Sequence, residues 1–219
     1  MTAALLTLAD SRLPAGGHAH SGGVEQAVAI GVVRDPGSLA AFLLRRLATS
    51  GAVAAGIASA ACRAADDAVR LTQLDHEADA RTPSPALRSA SRQQGRGLLR
   101  VGRRIWPSAV WDALPERPHH AIALGVAAAA GGLTPRDAAS AAAYLSISGP
   151  ATAAQRLLAM DPLAVAALTA RLAADIDAVA AASEGQNGHF GPGLAAATDP
   201  LLDLLAEVHA ARKDRFFAS

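Results

Sequence analysis

Apolar residues recur along this chain at steps of three and four. After Pro36, Leu39, Phe42, Leu43 and Leu47 share one helical face; after Pro162, Leu163, Leu168, Leu172, Ile176 and Val179 do; after Pro200, Leu201, Leu204, Leu205 and Val208 do. Strict alternation between tight hairpin turns is missing, so no sheet is expected. Helix starts carry a common mark. Asp35 precedes Pro36, Ser84 Pro85, Thr134 Pro135, Asp161 Pro162 and Asp199 Pro200. The polar side chain can accept a free N–H of the first turn, and proline there gives up an N–H that would be unpaired anyway. The pattern predicts helices over 3–9, 24–30, 36–62 (kinked near Gly51 or Gly56), 66–80, 85–105, 110–114, 119–130, 135–147, 151–160, 162–184 and 200–211. A break is expected at Gly149 and Pro150, and linkers at 81–83, 115–118, 131–133 and 185–193. The expected fold is all-α: a single-domain bundle of about ten helices spanning residues 1–219.

Composition refines this picture. The chain is 51% hydrophobic but only 3% aromatic, so alanine, the strongest helix former, carries much of the apolar content. Twenty Lys+Arg against nineteen Asp+Glu leave a net charge of +1, which gives no general pull toward nucleic acid or acidic membrane. Arg92, Arg96, Arg100 and Arg103 line one side of the 85–105 helix and read as a solvated face. Cys62 is the only cysteine, which excludes an intramolecular disulfide and a cysteine-based zinc site. No leader peptide and no membrane span are read from the sequence, and a cytoplasmic location is expected.

The unusual segment is the glycine-rich loop at 11–23, inside LADSRLPAGGHAHSGGVEQAV (residues 8–28). His18 and His20 can face one side of an extended segment and share a metal, but Asp10 and Glu25 are the nearest carboxylates and neither has a diagnostic spacing. Ser21 with His20 or His18 as base and Asp10 as orienter is a conceivable nucleophilic array, although the G-x-S-x-G elbow is missing. As a plain connector, Ser21 would cap the next helix while Gly22 and Gly23 supply special backbone angles. A binding surface is the fourth reading, since rigid scaffolds often carry function on such loops. The loop at 185–193 lacks the G-K-[ST] of a phosphate cradle, and His119 and His120 are expected on the surface of a first helical turn. The tail at 212–219 places Phe216 and Phe217 beside Arg215, a combination suited to anchoring a partner.

The run Leu6 to Pro14 followed by Gly16-Gly17-His18-Ala19-His20-Ser21-Gly22-Gly23-Val24-Glu25 resembles the N-terminal signature of the UreF family of urease accessory proteins, roughly LLQLADSALPVGGFAHSGGLE. Residues 91–102 (SRQQGRGLLRVG), 119–133 (HHAIALGVAAAAGGL) and 199–219 are similar in order, so the resemblance covers nearly the whole chain, in its actinobacterial form. His18 replaces the usual phenylalanine, Ala218 replaces an arginine of the tail, and Leu163, Ala164 and Val165 replace a proline-leucine-glycine-glutamine segment. The resemblance implies an all-α homodimer without catalysis, cofactor or metal of its own. It would join the accessory protein UreD (also called UreH) and the GTPase UreG to deliver nickel to apo-urease. Carried onto this sequence, it implies a partner surface at Asp10, Ser11, Pro14, Gly16, Gly17, His18, His20, Ser21, Gly22, Gly23, Glu25, Arg215, Phe216, Phe217 and Ser219. A histidine-based nickel carrier and a small serine hydrolase are the rival functions.

Overall fold

The computed structural model describes residues 3–10, 12–183 and 193–219. The described residues form an all-α architecture. Its α-helical segments are α1 (Ala3–Ala9), α2 (Val24–Ala29), α3 (Pro36–Arg46), α4 (Ala52–Arg63), α5 (Ala68–Ala80), α6 (Pro85–Ile105), α7 (His120–Ala130), α8 (Pro135–Leu158), α9 (Pro162–Arg171), α10 (Ala173–Ala182) and α11 (Pro200–Ala211). Short 3-10 turns lie at Gly17–Ala19 and Ala109–Ala113.

All five polar-proline starts form caps. Asp35, Ser84, Thr134, Asp161 and Asp199 accept N–H groups of Ser38, Leu87, Asp137, Leu163 and Leu201. Asp35 with Ser38, and Thr134 with Asp137, complete reciprocal capping boxes.

The core is built around α7. Residues 121–128 of this helix are all buried, as expected for one that is apolar on every side. Its main neighbours are α4 and α6, and α4 packs equally closely on α8. Alanine and glycine permit this approach: a Cβ on Gly125 would overlap the Ala58 carbonyl oxygen of α4, and one on Gly95 of α6 would overlap that of Pro118. Cys62 is buried in this core, where loss of solvent pushes its thiol up to about 11, so it rests as an unreactive thiol.

Three boundaries differ from the sequence reading. The expected kink near Gly51 is a π-helical turn, Leu47–Gly51, that joins α3 to α4 without a break. The resulting stretch Pro36–Arg63 is long and apolar enough to cross a membrane by length and composition alone, and 44% of its most apolar window is buried inside the fold. The expected helix at 162–184 divides at Leu172, whose ψ of 2° leaves the helical range; Glu184 and the loop at 185–192 lie outside the described residues.

The third difference is that Pro150 does not end α8, which runs through it. Proline removes the hydrogen bond to the carbonyl four residues back, here that of Ser146. That carbonyl is taken instead by Arg46, whose Nε donates to it at 2.7 Å. A partner from another helix thus supplies the donor that proline lacks.

Candidate functional site

The glycine loop begins where α1 stops. Asp10 receives Arg12 Nε at 3.1 Å and its terminal nitrogen at 2.8 Å, closing a tight turn. These hydrogen bonds from Arg12 hold the Asp10 carboxyl below its ordinary range. Gly16 (φ 89°), Gly22 (φ 61°) and Gly23 (φ 88°) occupy the left-handed region that other residues resist. Ser21 is fully buried; its carbonyl accepts Val24 N and its Oγ accepts Glu25 N at 3.4 Å, starting α2. Pro14, Gly17 and His18 are exposed, while His20 and Gly23 are buried. Ser11 lies outside the described residues.

The C-terminal tail lies on this loop. Glu25, 3% exposed, accepts Phe216 N at 2.8 Å on Oε1 and Phe217 N at 3.0 Å on Oε2, and its Oε2 also lies 2.8 Å from His209 Nε2. Ala218 N donates to Ala19 O at 2.7 Å, and Ser21 N donates to the main-chain oxygen of Ser219. His20 Nδ1 pairs with Ser219 Oγ at 2.6 Å, and Arg212 donates to Gln26 Oε1 at 3.1 Å. Burial works to raise the Glu25 carboxyl, but the Phe216 N–H, the His209 ring and the Phe217 N–H overcome it and leave the group below its usual range. Loss of solvent, with His18 nearby, lowers His20.

The two phenylalanines therefore divide their work. Phe217 is 8% exposed, with the Arg156 guanidinium 5.4 Å from its ring centroid, and pins the tail from inside. Phe216 is 86% exposed, beside exposed Arg215. The loop and tail named separately from the sequence form one continuous face.

The nucleophilic array is not assembled. Ser21 Oγ is held by Glu25 N, His20 Nδ1 by Ser219, and Asp10 by Arg12. Among the described residues, no group of three or more His, Cys, Asp or Glu side chains is arranged to hold a metal ion, and His18 and His20 gain no third ligand.

Comparison with known proteins gives the family. The UreF family profile matches residues 33–173. The chain is 51% identical over 217 residues to the urease accessory protein UreF of Mycolicibacterium vanbaalenii, covering 99% of this chain and 98% of that one. The chain belongs to the UreF family. It is also 52% identical over 220 residues to the protein of that name from Mycobacterium marinum, and 47% over 220 to that from Mycobacterium tuberculosis, each with 99% of this chain and 98% of the relative covered. These relatives fit the actinobacterial form of the resemblance.

This UreF-family chain also holds polar groups that the sequence reading misplaced. His119, expected on the surface, is 2% exposed. Its main-chain N–H donates to Asp75, and its ring bridges Ser91 Oγ (Nδ1, 3.0 Å) and Asp79 Oδ1 (Nε2, 2.9 Å). Arg92, expected in a solvated face, is partly buried and spans Asp75, Asp79 and the Arg117 carbonyl. Arg103 likewise reaches the Trp111 carbonyl and Asp112, whereas Arg96 and Arg100 are exposed as expected. The serine–histidine–aspartate connectivity is that of an acyl-transfer relay. However, Ser91 Oγ also accepts His120 N at 3.1 Å, so it is held as an acceptor at the start of α7. The cluster caps α7 from α5 and α6 and ties the three helices together. Its partners lie 28–44 residues away in sequence, beyond the reach of local pattern reading.

Proposed function

We propose that this UreF-family chain is a urease accessory protein that works as a scaffold in the cytoplasm and has no catalysis of its own. It joins UreD/UreH and the GTPase UreG, as a homodimer, so that nickel reaches apo-urease. The observation that carries the reading is the joining of loop and tail into one face, with Glu25 buried at the seam and Phe216 standing out from it. Exposed aromatics beside arginine are typical anchors of protein interfaces. The names of the mycobacterial relatives support the urease connection.

Co-expression with UreD and UreG, followed by size-exclusion chromatography, tests it. The full chain is expected to elute in a joint complex, and deletion of residues 212–219 to leave helicity near normal while abolishing that peak. A normal yield of complex from the truncated chain would overturn the assignment of this face.

A further inference from the structure

Among the described residues, Arg46 is a cation without a counter-ion. It leaves the end of α3 beneath the glycine loop. Its Nε donates to Ser146 O at 2.7 Å and a terminal nitrogen donates to Gly22 O at 2.9 Å. Guanidinium has five N–H groups, so three remain after these two bonds. Among the described residues, no carboxylate lies within ion-pair distance of it. Enclosure by protein lowers its pKa to about 10, a shift that a neighbouring acid would oppose.

The surroundings are shaped to this side chain. A Cβ on Gly22 would come 3.1 Å from the guanidinium carbon and 2.8 Å from Pro150 Cγ, so glycine lets the loop lie flat over both. Arg46 borders a cavity of about 560 Å³, which Ser148, His20 and His120 also line; the cavity's acidic lining residues, Asp10 and Asp199, are paired to Arg12 and Arg45, and Asp203 lies on α11. The His120 ring has no hydrogen-bond partner among the described residues, and burial lowers it to about 4, so it is a neutral imidazole with an N–H to offer. Repairing the Pro150 gap explains the Ser146 contact, and the Gly22 contact ties down the loop, but neither carbonyl neutralises the charge. What the described residues leave unanswered is the positive charge of a partly buried guanidinium.

We propose that the Arg46 pocket binds a small free oxyanion, of the phosphate or carboxylate type, whose oxygens take the free guanidinium N–H groups. Bidentate pairing of arginine with coplanar oxygens is the geometry such anions favour.

The test uses the purified full chain at fixed ionic strength, with inorganic phosphate and acetate as separate probes and chloride as control. Arginine-selective dicarbonyl labelling, mapped by mass spectrometry, is expected to modify Arg46. At ten times Kd of a bound probe, that labelling falls about tenfold by mass action, while exposed Arg12 is unaffected. The same probe raises Tm saturably, and Arg46→Gln, which removes the charge and keeps an N–H at the Nε position for the Ser146 carbonyl, abolishes the rise. Protection by phosphate alone assigns a tetrahedral ligand; protection by acetate alone assigns a carboxylate. Arg46 labelling that neither probe changes, or that chloride suppresses equally, overturns the proposal, as does a Tm rise retained in Arg46→Gln. Should that variant not fold, labelling of the unaltered chain decides.

Discussion

Replacing Glu25 with Gln isolates what holds the tail to the loop. The carboxylate serves two tail N–H groups from different oxygens and the His209 ring besides. An amide has one acceptor oxygen. If that oxygen keeps the position facing Phe217 N and His209, the new NH2 group meets Phe216 N donor to donor. One charge-assisted bond, about 1.5–3 kcal/mol, is then lost, and the others weaken to neutral strength. A total of roughly 3 kcal/mol corresponds to about a hundredfold in the tail's opening equilibrium. Opening of the tail as a local unit would place the loss there and not in global unfolding. Native-state hydrogen exchange should show Phe217 N protection falling about a hundredfold with Tm little changed. Acid should reproduce the effect in the unaltered chain. Because the folded Glu25 carboxyl sits below its ordinary value of 4.5, its stabilisation is complete above that pH and is lost as pH falls through the lower folded value. Phe217 protection within about threefold of the parent in Glu25→Gln would refute the reasoning.

Other outcomes follow from the same contacts. Phe216→Ala should change stability by less than about 0.5 kcal/mol in urea titration, because the ring is exposed, yet weaken capture of a partner complex by about 2 kcal/mol. Gly125→Ala pushes a methyl group into the Ala58 carbonyl between α4 and α7; a loss of about 1–3 kcal/mol, or roughly 2–4 °C of Tm per kcal/mol, should appear on thermal denaturation. His120 is lowered from 6.5 to about 4, so the unfolded chain takes the proton first and stability falls as pH drops below 6.5. Its share between pH 7 and pH 5 is on the order of 2 kcal/mol, and His120→Asn should flatten that part of the urea-midpoint profile.

Local chemistry announced itself in the sequence wherever the partner was close by. The five helix starts were readable because each cap lies two or three residues from its N–H. The left-handed glycines at 22 and 23 were readable as turn residues; Gly23, not Ser21, takes the N-cap position of α2, and Ser21 Oγ reaches only as far as Glu25 N at 3.4 Å. Pro150 misled because the donor that repairs its helix comes from Arg46, 100 residues away from Ser146 in the chain. His119 misled because its partners stand on α5 and α6. At the candidate site, the sequence marked both loop and tail but not their union, nor which phenylalanine faces inward; pairs such as His20 with Ser219, 199 residues apart, exist only in the folded chain.

That separation has a consequence for biosynthesis. The glycine loop leaves the ribosome early, whereas the residues that cover it follow every helix of the fold. A polypeptide without the tail thus lacks both the composite face and the buried Phe217 ring. Under the proposed function, a partner that docks there would distinguish chains that carry the tail from chains that lack it.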